Sequence, residues 1–440
     1  MASSIVPYRV LLIILASIFA CRVVAQFLLQ FISLDMIPAF EHWHSETMSY
    51  AVLLAVQLVI LGAMGSVIFL MPFRKPHPRL GTTLLWFGLI YVAFMSLRLV
   101  VGSLNWSDHS WFNGAVSTAF HFGLAAFALV LGSALKGAWR QRTAPQTDIA
   151  RTLARYGAYP ALLCGSYLLF LWLRDSGSPV LFSSYLSVLV GGMGVLMHES
   201  FSPYRIAWRP HISDALSDSV FLALVQVALP VLLKAGALAL VISLPTLSPP
   251  SLRGLWPHES PLLVQIALML LIAEFFRYWL HRALHEVHWL WPLHAVHHAS
   301  QKLYTVNVGR FHPLDKSIQF LGDAAPFILL GVSQEVFAGY FVLYAIMGFY
   351  QHSNADVRIG PVNWILAGPE LHRWHHDADP IDCRCNYGNS LIVWDVVFST
   401  RLLPQDRAVG EIGIGNRSWP DGFMAQMLAP FTTPTEETSR

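Results

Sequence analysis

The chain has 440 residues, 55% of them hydrophobic and only 12% charged, about half the charged share of an ordinary soluble domain. So few charges cannot cover the surface of a soluble protein of this size, and a net charge of +2 gives no electrostatic case for a nucleic-acid partner. Four cysteines exclude a disulfide scaffold; the unusual count is 19 histidines.

A helix needs about 20 apolar residues to cross about 30 Å of hydrocarbon. In chain order such runs fall near 10–33, 48–71, 80–101, 113–135, 158–173, 180–198, 219–244 and 261–280, the fifth and sixth being short. The composition and these runs predict an all-α, polytopic helical membrane protein with about eight spans. A further apolar stretch, 317–351, is broken near Gly331-Val332-Ser333. With the N-terminus in the cytosol, the inside loops 72–79, 136–157 and 199–218 hold ten Lys/Arg. The outside loops 34–47, 102–112, 174–179 and 245–260 hold two, Arg174 and Arg253. This bias is the positive-inside pattern, and an even number of spans leaves everything after 280 in the cytosol. The first run could instead be a signal peptide ending near Val24-Ala25, although Arg22 sits badly for that; cleavage would not change the orientation of the later spans.

Arg22 and Arg98 fall inside expected spans, close enough to span ends to snorkel. Asn105-Trp106-Ser107 is a glycosylation sequon in an outside loop. The basic, polar stretch 136–157 reads as a linker. It divides the chain into an N-terminal four-span region of unknown role (1–145), a second region (146–403) and a loose polar tail (404–440).

Eight histidines are scattered over the first 260 residues, and eleven lie between 281 and 376. His281 and His285 stand at i, i+4. His294, His297 and His298 give i, i+3, i+4, and His372, His375 and His376 repeat that pattern. On a helix each set lies on one face, so its imidazoles can share an ion. His312 and His352 stand apart. A single histidine on an apolar face is usually an ordinary packed residue. That reading covers His42, His44, His77, His109, His121, His198, His211 and His258; His288 could be a ligand or a headgroup contact. Eight to ten imidazoles exceed one ion's capacity, since a structural zinc takes four ligands and a mononuclear non-haem iron site uses two His and a carboxylate. The count points to two metals side by side, and the absence of thiolates to a redox metal such as iron. The clusters can meet only on one side of the membrane. Residues 317–351 must therefore dip into the bilayer and return as a hairpin, beneath a cytosolic histidine-rich helical cap. Asp315, Glu274, Glu370 and Asp377 could accept ring N–H groups, or equally cap a helix or pair with an arginine.

Five segments together resemble the fatty acid hydroxylase superfamily, also called the sterol desaturase family. They are His281-Arg282-x-x-His285, Leu290-Trp291-x-x-His294-x-x-His297-His298, Arg310-Phe311-His312-Pro313-Leu314-Asp315, His352-Ser353-Asn354 and His372-Arg373-Trp374-His375-His376. Asn386-Tyr387-Gly388-Asn389 and Trp394-Asp395 look like the family's C-terminal signature, and the motif-bearing match covers about 274–403. The resemblance implies an O2-dependent, integral-membrane di-iron oxygenase with a hydroxylase/desaturase-like catalytic region at 146–403. The implied ligands are His281, His285, His294, His297, His298, His372, His375 and His376, with His312 and His352 as additional ones. It implies hydroxylation of a C–H bond in a lipid (fatty acyl, sterol, carotenoid or related), or desaturation on the same site. The first four spans do not match the family core.

Gly410-x-x-Gly413-x-Gly415 lacks the strand–helix unit of a dinucleotide fingerprint, and Cys383-x-Cys385 is too sparse for an iron–sulfur cluster. Electrons are therefore expected from a separate ferredoxin-like donor, or from a cytochrome b5-like donor with its reductase. From other classes, the competing readings are a metal transporter, whose ligands belong at the bilayer midplane, and a metal-binding membrane protein without oxygenase activity.

Overall fold

Apolar runs in which the backbone must satisfy its own hydrogen bonds fold as helices. The computed structural model describes residues 6–31, 37–43, 49–70, 77–104, 114–136, 148–379, 383–415 and 419–432. The sequon at 105–107, His44, His109 and residues 137–147 of the 136–157 stretch lie outside the described residues. The helices are α1 (Val6–Leu28), α2 (Tyr50–Leu70), α3 (Pro78–Ser103), α4 (Ala115–Lys136), α5 (Asp148–Asp175) and α6 (Val180–Phe201). They continue as α7 (Ile212–Phe221), α8 (Leu229–Ser243), α9 (Pro250–Arg253), α10 (Leu262–Glu286), α11 (Trp291–His298) and α12 (Pro313–Asp323). The remainder are α13 (Ala325–Leu329), α14 (Gln334–His352), α15 (Pro369–His375), α16 (Val393–Val397) and α17 (Phe423–Thr432). No strand occurs among the described residues. Among the described residues, eight stretches are long and apolar enough to cross a membrane, one of them Ser213–Ser243, which runs through α7, a π-helical turn at Leu222–Ala228, and α8. The protein is an integral membrane protein.

Packing divides the chain into two compact units, Met1–Arg151 with Ala161–Met197, and Thr152–Pro160 with His198–Arg440. This grouping differs from a boundary at 145. Leu169, Trp172 and Leu173 of α5 and Leu186 of α6 share a core with Ala115, Val116 and Ala119 of α4.

In the first unit α1 buries Leu12, Leu15, Phe19 and Val23, one face at helical spacing, against α2 and α4. The α3 and α4 backbones touch at Gly81 and Gly132: a Cβ on Gly81 would stand 2.5 Å from the Lys136 nitrogen, and one on Gly132 would stand 2.8 Å from the Gly81 carbonyl oxygen. Arg22 and Arg98 do not snorkel. They are 6% and 1% exposed.

In the second unit α12, α13 and α14 form the expected helical hairpin. The chain reverses at Gly331, whose φ of +69° suits glycine, and Ser333 caps α14 by accepting from the Val336 N–H. α14 then ends at His352, and Arg155 of α5 pairs with Asp356 just beyond it. Four carboxylates, three of them buried and Glu199 half-buried, hold loops in place, Asp218 through side chains and the others through backbone N–H groups. Glu199 accepts from Thr305 N and Asn354 N, and Glu274 from Asn389 N and Ser390 N. Asp395 accepts from Tyr387 N and Gly388 N, and Asp218 from the Tyr304 hydroxyl and Arg310. Residues beyond 404 are not uniformly a loose polar tail: Trp419, Phe423 and Met427 pack on Phe221, Val225, Val296 and Phe311. Residues 433–440 lie outside the described residues.

Candidate metal centre

The last two turns of α10 carry His281 and His285, α11 carries His294, His297 and His298, the end of α14 carries His352, and α15 with its C-cap carries His372, His375 and His376. All nine side chains are buried. They form two groups, His281, His285, His294, His298 and His375 in one, and His297, His352, His372 and His376 in the other. In each group the candidate ligand nitrogens lie within 4.8 Å of one another. Two nitrogens on one ion at about 2.1 Å each can stand up to about 4.2 Å apart, so small adjustments would close either group on an ion. The groups are neighbours: the rings of His298 and His376 stack at 4.3 Å.

Hydrogen bonds from one ring nitrogen fix what the other presents. Nδ1–H of His281 donates to the Tyr387 carbonyl (2.7 Å), that of His294 to the Asp315 carboxylate (2.9 Å), that of His297 to the Arg310 carbonyl (3.1 Å) and that of His375 to the Cys385 carbonyl (2.8 Å). Nδ1–H of His352 donates to Asn307 Oδ1 (2.9 Å). These tautomers, assigned from the partners, turn five Nε2 lone pairs inward. Nε2 of His281 and Nε2 of His294 then face each other at 2.9 Å with no hydrogen between them. Nε2 of His372 lies 3.0 Å from that of His352 and 3.1 Å from that of His376. Nε2 of His285, His298 and His375, and Nδ1 of His372 and His376, are buried without a partner among the described residues. Acceptors facing acceptors in a dry interior repel, and orphaned ring nitrogens are costly; a cation shared between them removes both penalties. The donor set therefore fits a metal centre.

Electrostatics point the same way. Burial, and then the charges of neighbouring imidazoles, hold His294, His297, His298, His352, His372 and His376 well below the ordinary histidine range. His375 is lowered to about 4 by burial, partly opposed by its bond to the Cys385 carbonyl. At neutral pH these rings are uncharged, the form that binds metal. Burial pushes Asp315 up to about 6, against a hydrogen bond from Gln319 and the charge of Arg277, so its carboxylate remains largely ionised at pH 7.

Of the ten histidines expected as ligands, His312 stands outside both groups. It is the N-cap of α12, where Nδ1 accepts from the Leu314 N–H and Nε2 donates to the Met427 carbonyl, so neither nitrogen has a lone pair to offer. His288 is exposed and belongs to neither group. Asp315 alone among the four candidate carboxylates meets a grouped imidazole. Glu274 holds the 389–390 backbone, Glu370 accepts from Arg358, Ile359 N and Asn363, and Asp377 accepts from Gly410 N. Sequence reasoning missed Phe311, whose ring stacks on His297 at 4.1 Å, and the carbonyl partners of the rings, which no side-chain pattern encodes.

A fatty acid hydroxylase family model matches residues 266–400, the segment that carries all nine grouped histidines. The ornithine lipid hydroxylase OlsE of Rhizobium tropici is 31% identical over 287 residues, covering 62% of this chain and 83% of the relative. The chain belongs to the fatty acid hydroxylase family. More partial likenesses are to the alkylglycerol monooxygenase of Xenopus tropicalis, 33% identical over 32% of this chain and 31% of the relative, and to a putative Delta(7)-sterol-C5(6)-desaturase of Arabidopsis thaliana, 29% identical over 32% and 48%. The chain thus spans about a third to a half of those two proteins. No solved structure matches.

Proposed function

We propose that this member of the family is a lipid hydroxylase whose nine grouped histidines hold two iron ions. The observation that carries the reading is the pair of adjacent, buried groups of five and four imidazoles, with lone pairs turned toward one another. Two groups support two ions, and nitrogen-only ligation suits iron better than calcium or magnesium. With O2 and two external electrons, an iron pair supplies an oxidant able to attack an unactivated C–H bond. One oxygen atom ends in the alcohol and the other in water, which takes up two protons.

The chain's own part is orientation and exclusion of water. Asp315, Asn307 and the carbonyls of Arg310, Cys385 and Tyr387 hold rings at fixed tautomers. Phe311 covers one face of His297, and the Phe221–Val296 cluster surrounds Phe311 with apolar groups. A lipid substrate is supported by the membrane-spanning helices and by relatives whose names place them on ornithine lipids, alkylglycerols and sterols. Electrons are assigned to a separate ferredoxin-like or cytochrome b5-like donor. The test is expression under ¹⁸O2 followed by mass spectrometry of total lipid. A new lipid species carrying one ¹⁸O is expected; a species that has lost two hydrogens without gaining label would mean desaturation, and no dependence of any lipid on the protein would defeat the reading.

The same reading places the histidine centre on the cytosolic side, on the strength of the ten-to-two distribution of loop Lys/Arg. A cysteine introduced at exposed Glu411 should react with an impermeant maleimide only after cells are opened. Labelling in intact cells would reverse the orientation.

A further inference from the structure

The C-terminal helix α17 is apolar on both of its sides. Its ten residues, Phe423–Thr432, include no charged side chain. One side packs on the protein. Gln426 and Ala429 are buried, Phe423 meets the ring of Phe221 edge-on at 4.8 Å, and Met427 joins the same cluster. The Met427 carbonyl also accepts from Nε2 of His312, whose ring stands 5.6 Å from that of Phe431. The other side is open. Met424, Leu428 and Phe431 recur there at i, i+4 and i+7, and they are 68%, 56% and 66% exposed.

A helix that meets water carries polar side chains opposite its packed face. In α17 the amide of Gln426 is buried and the apolar side chains are outside. The elements beside it expose the same kind of surface: Leu216, Val220 and Leu224 along the span Ser213–Ser243, and Leu314 and Leu321 on α12. Acyl chains must cover the apolar side chains of that span, so the open side of α17 continues a surface that lipid already covers.

Depth agrees. The span has 31 residues, about 46 Å of upright helix against about 30 Å of hydrocarbon. Phe221, which Phe423 meets, lies eight residues from its start, about 12 Å. With the excess of about 16 Å shared by the two ends or gathered at this one, Phe221 falls within about 4 Å of the hydrocarbon boundary. That is the level at which an amphipathic helix settles in a bilayer surface.

We propose that α17 is an interfacial helix, seated between headgroups and acyl chains, with Met424, Leu428 and Phe431 among the chains. Its partner is a lipid surface. A second copy of the chain or a soluble protein would have to cover α17 without the apolar neighbours that lipid covers together with it. The placement needs neither the iron nor the substrate assignment. Through Phe423 and Met427 the helix ties the lipid surface to the cluster around Phe311, the ring stacked on His297.

The test uses the wild-type full chain in nanodiscs of phosphatidylcholine bearing a diazirine on its acyl chain. After photolysis, lipid adducts are located by peptide mass spectrometry. Met424, Leu428 and Phe431 should carry adducts at yields comparable to that of Leu224 in the span, and exposed Gln405 should carry none. Hydroxyl radicals generated in the water around the same nanodiscs should oxidise Met424 about tenfold more slowly than in the unfolded chain. Adducts on Leu224 with none on α17 would overturn the proposal: fast oxidation of Met424 would then place the helix in water, and slow oxidation would mean that protein covers it. Oxidation at the unfolded rate would overturn it whatever the adducts.

Discussion

His297→Ala should lower iron from two ions per chain to one or fewer and reduce lipid turnover by more than about 100-fold. His297 offers Nε2 to the four-histidine group while its Nδ1–H is held by the Arg310 carbonyl, and its ring is stacked on Phe311. Its loss leaves three imidazoles on that side and a gap beside Phe311. The remaining five-histidine group does not contain it, so one ion is expected to stay. His312→Ala is the matched control. It removes a cap worth roughly 1 kcal/mol but no inward-facing lone pair, so both ions should remain. Metal analysis of the two purified variants decides the matter. Full iron in His297→Ala, or loss of an ion in His312→Ala with the fold intact, would reverse the assignment of these two residues.

Asp315→Asn should weaken metal retention by about 10- to 100-fold without removing a ligand. Asp315 is fully buried and accepts from Nδ1–H of His294, which fixes the tautomer that leaves Nε2 facing His281. An asparagine keeps the shape but loses the negative charge that strengthens the imidazole as a donor to metal. Its amide can also turn an N–H toward the ring, favouring the wrong tautomer. Competition with a ferrous chelator reads the effect directly. Retention equal to wild type would show that the ring is oriented without the carboxylate.

The histidine stripes were legible because helical spacing is a local property. The separations of i, i+3 and i+4 require only that 281–285, 294–298 and 372–375 be helical, and they are, with His376 following as the C-cap of its helix. The hairpin was legible because two clusters meant for one site cannot lie on opposite faces of a membrane. His312 carries a second signal: a histidine followed by Pro313 and, three residues on, by Asp315 is the pattern of a helix start, and the chain uses it as one. The C-terminal helix was missed although a signal was present. Phe423, Met427 and Phe431 recur at helical spacing inside a segment whose overall polarity suggested a loose tail. The carbonyls of Tyr387, Cys385 and Arg310 could not be foreseen, since any residue supplies a carbonyl and only tertiary structure decides where it points. The burial of Arg22 and Arg98 was equally hidden, because snorkelling and burial differ in side-chain direction, which the sequence does not encode.

The most direct measurement is iron content with Mössbauer spectroscopy on the purified, ⁵⁷Fe-grown wild-type protein. Two irons per chain, in nitrogen-rich sites coupled to each other in the oxidised state, are the predicted result. A single ion per chain, or a stoichiometric redox-inert metal such as zinc in protein that is active toward lipid, would contradict the account.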